Sequence, residues 1–231
     1  MSGLRILGID TSGKVAATAL YDTEMQCFLA QQTVYTKRTH SQVILPLAER
    51  MLADTGLTWQ EIDGLAVADG PGSYTGLRIG IAAVKAMAFA LHIPCVGVST
   101  LEGLAWQNLS WQGIICPMML ARQSLVYAGL YRSDGTQVMP MQPDGMLELG
   151  ELQQLLENLG ESVLLTGDGA ALLEPADLLS VASPAERLQN GKGICLAAAA
   201  RSQWQKPEEL MPEYLQLVKA EKDLQEKRKA E

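Results

Sequence analysis

Short apolar runs alternate with helical repeats in an order that predicts two successive α/β units. Leu4 to Ile9 is an apolar run closed by Asp10, the turn residues Thr11-Ser12-Gly13-Lys14 follow, and Val15 to Tyr21 opens a second β-compatible run. After a turn at Asp22-Thr23-Glu24, Gln26 to Thr33 supplies a third strand. From Thr39 or Ser41 to about Asp54, Ile44, Leu47, Ala48, Met51 and Leu52 recur at helical spacing, and Gly56 ends the repeat. Pro46 lacks an N–H for an interior turn, so the regular helix is expected to begin near Leu45. Gly64 to Ala68 reads as a short buried strand, Gly70-Pro71-Gly72-Ser73-Tyr74-Thr75-Gly76 as a loop, and Thr75 to Leu91 as a helix. A strand at Cys95 to Val98 and a helix capped by Ser99 or Thr100, running to about Asn108, close the first unit.

The order then repeats loosely. Ile114 to Met119, Leu125 to Tyr131 and Thr136 to Met141 read as strands, and Glu148 to Leu159 as a helix. Val163 to Thr166 is a strand leading into Gly167-Asp168-Gly169, a short strand follows near Leu178 to Val181, and an alanine-rich helix is expected from Pro184 to Gln203. Strand, glycine loop and helix in sequence are the mark of an α/β protein, and the doubled order suggests a duplicated architecture.

The helix from Thr75 to Leu91 is apolar nearly all round, with Arg78 and Lys85 its only charges. Such a helix cannot face water along one side without cost. Gly76 and Gly80 lie one turn apart, with Ala83 and Ala90 near the same face, and glycine inside a helix costs about 1 kcal/mol relative to alanine. A neighbour is therefore expected to approach this backbone closely. Periodicity leaves two neighbours open: the core of the same chain, or a second subunit met together with the apolar stripe of the Ser41 to Asp54 helix.

Composition narrows the classes. Of 231 residues 48% are hydrophobic and 19% charged, which describes a folded chain with a substantial core. The net charge is −8, and because Lys219 to Glu231 holds five bases and four acids the body carries −9. That body repels phosphate backbones, so unaided nucleic-acid binding is disfavoured. Cys27, Cys95, Cys116 and Cys195 are widely spaced and expected to be reduced core thiols. With no signal-peptide pattern before Leu4, and the apolar stretch Ile79 to Leu91 broken by Lys85 and short of a bilayer span, the expectation is a soluble cytoplasmic protein with no membrane.

Candidate chemistry is sparse. The Gly70 to Gly76 loop lacks the Gly-Lys-Ser/Thr of a Walker loop, its third glycine falls one place late for a dinucleotide fingerprint, and Cys95 and Val96 stand where that motif wants an acid. A tight turn packing a helix on a sheet accounts for it. Asp10-Thr11-Ser12-Gly13 at a strand end could hold a metal-bound phosphate, but an aspartate followed by small polar residues reads more readily as ordinary turn chemistry. His40 and His92 are far apart, each at a helix end, which leaves zinc chemistry unsupplied and suggests capping or surface roles. Cys95 follows Pro94 in a strand that reads as buried, a core position rather than a nucleophile's.

The ordered set Ile9-Asp10-Thr11-Ser12, His40-Ser41-Gln42 with Ile44-Leu45-Pro46, Gly70-Pro71-Gly72-Ser73-Tyr74-Thr75-Gly76-Leu77-Arg78-Ile79-Gly80 and Gly97-Val98-Ser99-Thr100-Leu101 closely resembles the TsaB (YeaZ) family. The match is most specific through about Ala105, with later support in Ala121-Arg122, Val126-Tyr127, Thr166 to Gly169 and Pro212-Glu213-Tyr214-Leu215. The resemblance implies an actin-like (ASKHA, ribonuclease H-like) fold of two related lobes. The expected division is an N-terminal lobe over residues 1–108, a C-terminal lobe over 109–206 and a terminal segment with a charged tail over 207–231.

For function the resemblance implies a role in forming threonylcarbamoyladenosine on tRNA. The chain is then a non-catalytic scaffold that pairs with its homologue TsaD, the metal-bearing transferase, and with the ATPase TsaE, and also forms a homodimer. It is expected to meet tRNA only through the complex and to have no cofactor of its own, with nucleotide at the partner interface left open. TsaD carries His-x-x-x-His where this chain reads Thr100-Leu101-Glu102-Gly103-Leu104, so Thr100 and Leu104 replace both ligand histidines and no metal is expected. The family pairs through its first two long helices, which tips the open choice towards an interface of His40, Ile44, Leu47, Ala48, Met51, Tyr74, Gly76, Leu77, Gly80, Ala83, Val84 and Met87. On this reading a bulky residue at Gly80 abolishes pairing and leaves the monomer folded. Asp10, Thr11, Ser12, Gly167, Asp168 and Gly169 are candidates for a degenerate nucleotide loop.

The chain departs from the family at the second lobe's opening hairpin, where Leu120 and Leu125 stand in place of an aspartate and a glutamate, so Arg122 is expected to have lost an ion partner. Gln216 replaces the usual arginine after Tyr214-Leu215. The alternative function is an ATP-dependent small-molecule kinase of the same fold using Asp10, but the acidic second loop it would need falls on those leucines. A peptidase, a label the wider family has carried, finds no nucleophile with a base.

Overall fold

The computed structural model describes residues 3–35 and 38–215. Two five-stranded sheets of the same internal order form its frame. In the first, β1 (Arg5–Asp10), β2 (Val15–Asp22) and β3 (Cys27–Tyr35) are antiparallel neighbours, and β4 (Gly64–Gly70) and β5 (Cys95–Ser99) extend the sheet in parallel from the other side of β1. In the second, β6 (Gly113–Arg122), β7 (Leu125–Ser133) and β8 (Val138–Glu148) repeat the antiparallel part, and β9 (Val163–Thr166) and β10 (Leu179–Val181) the parallel part. The duplication expected from the order of elements is therefore present strand for strand.

Helices α1 (Ile44–Thr55) and α2 (Tyr74–Leu91) lie on the outer face of the first sheet, where Ala48, Met51, Ile81 and Val84 pack with Leu7, Ile9, Leu65 and Val67. A 3-10 turn, His40–Gln42, precedes α1. Pro46 falls in the first turn of α1, where a missing N–H is harmless, and Gly56 closes the helix in the left-handed region at φ 71°. Helices α3 (Thr100–Trp106) and α6 (Gly191–Ala199) fill the space between the sheets in one cluster with Ala66, Val98, Ile115, Met119 and Tyr131. Helix α4 (Leu149–Asn158) covers the outer face of the second sheet with Leu152 and Leu156.

The alanine-rich helix expected from Pro184 to Gln203 is in fact two: α5 (Pro184–Arg187), then α6 after a break. Asn190 caps α6 by accepting from the Gly193 N–H at 3.2 Å, and Gly193 lets the α6 backbone rest against the carbonyl of Gly103 on α3. Helix α6 packs on the first sheet, where the Cys195 thiol lies 3.6 Å from the Ile6 carbonyl and 3.4 Å from that of Ala19. Strand β8 runs past the expected Met141 to Glu148 despite Pro140 and Pro143, which is tolerated because β8 is an edge strand.

Beyond α6, residues 203–215 strap the first lobe. Gln205 exchanges backbone bonds with Cys95 at 2.9 and 3.0 Å, Leu210 is fully buried, and the Glu213 N–H donates to the Asp69 carbonyl at 2.8 Å. Lys85 reaches the strap carbonyls of Leu210 at 3.1 Å and Glu208 at 3.4 Å. The charged tail from Lys219 lies outside the described residues. All four cysteines are free and Cys95, Cys116 and Cys195 are buried as expected, whereas Cys27, at the start of β3 on the edge of the first sheet, is only half-buried and is not a core thiol.

Candidate functional site

The glycine loop after β4 turns the chain into α2, with the Ser73 N–H donating to the Ser12 carbonyl at 2.7 Å and the Ser73 hydroxyl capping the helix at the Gly76 N–H. Thr11, at the end of β1, is what approaches Gly76 and Gly80: its hydroxyl donates to the Gly76 carbonyl at 2.8 Å, and a Cβ at either glycine would collide with it. The close neighbour expected on this helix belongs to the same chain. Ile44, Ala48, Met51, Gly76, Leu77, Gly80 and Val84 are all buried in the monomer and cannot meet a partner directly. A bulky residue at Gly80 would strike Thr11 and Val67, so it would disturb the fold as well as any pairing.

The outward side of α2 is different in character. Tyr74, Arg78, Ala82, Ala86, Phe89 and Ala90 are exposed, and Ile79, Ala83 and Met87 are half-buried. Phe89 is 66% exposed and borders a groove of about 390 Å³ lined also by His92, Pro94, Trp204 and Pro207. Helix α2, with 18 residues and a mean hydropathy of 1.3, is long and apolar enough to cross a bilayer by composition, which the stretch from Ile79 taken alone did not reveal. In the fold its inner side packs on the sheet. From the expected interface, His40, Leu47, Tyr74, Ala83 and Met87 keep exposed surface. The exposed Ala82, Ala86 and Phe89 were missed, because a helix apolar nearly all round carries only a weak pattern to say which side faces out.

The two candidate loops meet between the lobes. Asp168 accepts from the Leu120 N–H at 3.0 Å and pairs with Lys14 at 3.2 Å, while Gly167 donates to the Arg187 carbonyl at 2.7 Å and Gly169 to that of Met118 at 3.0 Å. Gln189, 2% exposed, fills the space beside Gly13. His40 places Nδ1 3.2 Å from the Thr11 carbonyl. Asp10 is buried and spends its carboxylate on its own turn, accepting from the Ser12 hydroxyl at 2.6 Å and the Ser12 N–H at 2.8 Å. Burial raises Asp10 to about 6 against the pull of those two bonds, both of which fall on Oδ1. Arg122 makes no ion pair among the described residues.

Thr100 and Leu104 lie on the inner helix α3, 0% and 1% exposed, and the Thr100 hydroxyl has no partner. A hydroxyl and an isobutyl group sealed between two sheets do not fit a metal, and no group of three or more His, Cys, Asp or Glu suited to one occurs among the described residues. At the end of β4, burial and the nearby Glu213 raise Asp69 to about 7, and its Oδ1 is unpartnered. Burial pushes the Cys95 thiol up to about 11, far from a nucleophile's range.

A family model described as TsaD, tRNA N6-adenosine threonylcarbamoyltransferase, matches residues 30–216. The tRNA threonylcarbamoyladenosine biosynthesis protein TsaB of Bacillus subtilis is 34% identical over 169 residues, 73% of each chain. The chain belongs to the TsaB (YeaZ) family. The TsaB of Escherichia coli K12 is 33% identical over 134 residues, 57% of this chain and 56% of that one. In fold, YeaZ from Pseudomonas aeruginosa superposes with a TM-score of 0.75 at 23% identity, covering 92% of this chain and all of that one. A second solved structure, described as an uncharacterized protein with similarity to the peptidase YEAZ from the same organism, reaches 0.80 at 24% identity with the same coverage. The TsaB family's actin-like α/β fold is thus the fold of this chain, and its place is in tRNA threonylcarbamoyladenosine biosynthesis.

Proposed function

We propose that this chain supports threonylcarbamoyl transfer to tRNA without supplying a reacting group. It docks on the TsaD transferase through the outward side of α2 and the exposed part of α1, acts together with the ATPase TsaE, and pairs with a second copy through the same side when TsaD is absent. It touches tRNA only as part of that complex, in the cytoplasm, and any nucleotide would sit at the partner interface rather than in a site of its own.

The observation that carries the reading is the outer side of α2. Ala82, Ala86, Phe89 and Ala90 expose a run of small and apolar side chains three and four residues apart, on a helix whose other side is committed to the core. Small residues let a second helix approach closely, and an exposed phenylalanine beside a groove is the kind of anchor that interfaces use. Thr100 and Leu104 support the absence of a reacting group. The body's negative charge supports leaving tRNA to the partner.

Light scattering after size exclusion, on the chain alone and mixed with TsaD, tests the docking. Ala86→Arg places a charge on the exposed side without touching the core, and is expected to leave thermal unfolding unchanged and to abolish both self-pairing and the mixed complex. Intact pairing in that variant removes the docking claim. Calorimetry with magnesium and ATP tests the kinase alternative, since tight binding lost on Asp10→Asn would show that the closed loops open to a nucleotide.

A further inference from the structure

Tyr74, Arg78 and Tyr214 come together at the head of the outward side of α2 from two motifs far apart in sequence. The Arg78 guanidinium lies 4.0 Å over the Tyr74 ring, its Nε–H donates to the Tyr214 hydroxyl at 3.1 Å, and the two tyrosine rings stack with centroids 5.1 Å apart. Tyr74 is 44% exposed and Arg78 stands one turn before Ala82. The strap that fastens Glu213 to Asp69 is what brings Tyr214 here.

The other cations of α1 and α2 are already occupied. Arg50 pairs with Asp54 at 2.8 Å, and Lys85 is bound to strap carbonyls. Arg78 pairs with no carboxylate among the described residues. With Nε used by Tyr214 and one face covered by Tyr74, the guanidinium presents its Nη1 and Nη2 end, a planar fork that matches the two oxygens of a carboxylate.

We propose that Arg78 is a preorganised anchor of the docking side and takes an aspartate or glutamate side chain of the partner protein end-on. This rests on the reading that a partner docks along α2. Holding a long side chain in place before binding lowers the entropy lost on association, and tyrosine and arginine are the residues in which interface energy concentrates. A phosphate would fit the same fork, but the net charge of −8 disfavours an RNA backbone here.

Titration calorimetry of the full chain with TsaD tests it on three variants. Arg78→Ala is expected to weaken pairing about 30-fold or more, Arg78→Lys about 10-fold because the charge stays but the fork is lost, and Tyr214→Phe about 3-fold because stacking stays and only the Nε anchor goes. Thermal unfolding should not move in either Arg78 variant. Raising salt should weaken wild-type pairing more than that of Arg78→Ala, a difference that loss of ring packing alone would not produce. Unchanged affinity in both Arg78 variants overturns the proposal, whatever Ala86→Arg does, since Ala86→Arg reports on the docking side alone. Unchanged pairing with weaker tRNA binding by the mixed complex in Arg78→Ala overturns it in favour of a phosphate.

Discussion

The connections from β4 to β5 and from β9 to β10 occupy the same place in two sheets of the same order, yet the first contains the 18-residue helix α2 and the second only a 3-10 turn at Ala170–Leu172. Both begin at a glycine turn, but after Asp69 in one and after Thr166 in the other. The inner layer does not differ in this way. Helices α3 and α6 hold equivalent places after β5 and β10, because the space between two sheets has to be filled from both sides. The outer layer is free of that demand, so the first lobe carries a long helix with a side to spare while the second covers its sheet with α4 and the short segment bearing Ala170 and Leu173. The lobe with the longer helix is the one that leaves an apolar helix side exposed.

The sharpest break of this comparison is at the inner side of α2. Gly80→Leu is expected to destabilise the chain by about 3 kcal/mol in urea unfolding, because Thr11 and Val67 leave no room for a side chain. If it folds as the wild type does, the helix is not seated as described. The strand ends give the next effect. Asp69 titrates near 3.8 when unfolded and at about 7 when folded, so stability is fully present below pH 3.8 and falls as pH rises to about 7. Asp69→Asn should therefore gain on the order of 2 kcal/mol over wild type at pH 8 and nothing at pH 3, read from unfolding curves at the two values. Thr166, at the matching strand end of the second sheet, carries no titrating group. The smallest effect is at the contact between lobes, where Lys14→Ala should cost about 0.5 kcal/mol, a difference that vanishes in 1 M salt.

Much of the fold could be read from pattern alone. The three opening strands, α1 from its repeat and Gly56, α2 to Leu91 and the loop after β9 stand where periodicity and turn residues put them. The misses have physical causes. The α5–α6 break comes from Asn190 and two glycines that let α6 cross beneath the first sheet, and an alanine-rich repeat hides such a break. Residues 203–215 carry no periodicity, so their role as a strap appears only once Leu210, Gln205 and Glu213 have partners. The candidate loops at Asp10 and Asp168 were legible as turns, whereas their meeting through Lys14 and Gln189 was not.

By itself the sequence determined the duplicated order of elements and the family. Each of these depends on residue identity and local spacing, which survive in a linear reading. Tertiary structure alone decided which side of α2 faces outward, that Thr11 is the neighbour for which Gly76 and Gly80 make room, and that Tyr214 returns to Arg78 across the length of the chain. A helix apolar on every side has no preferred direction until a sheet is placed against it, and contacts between distant residues exist only after the chain has closed.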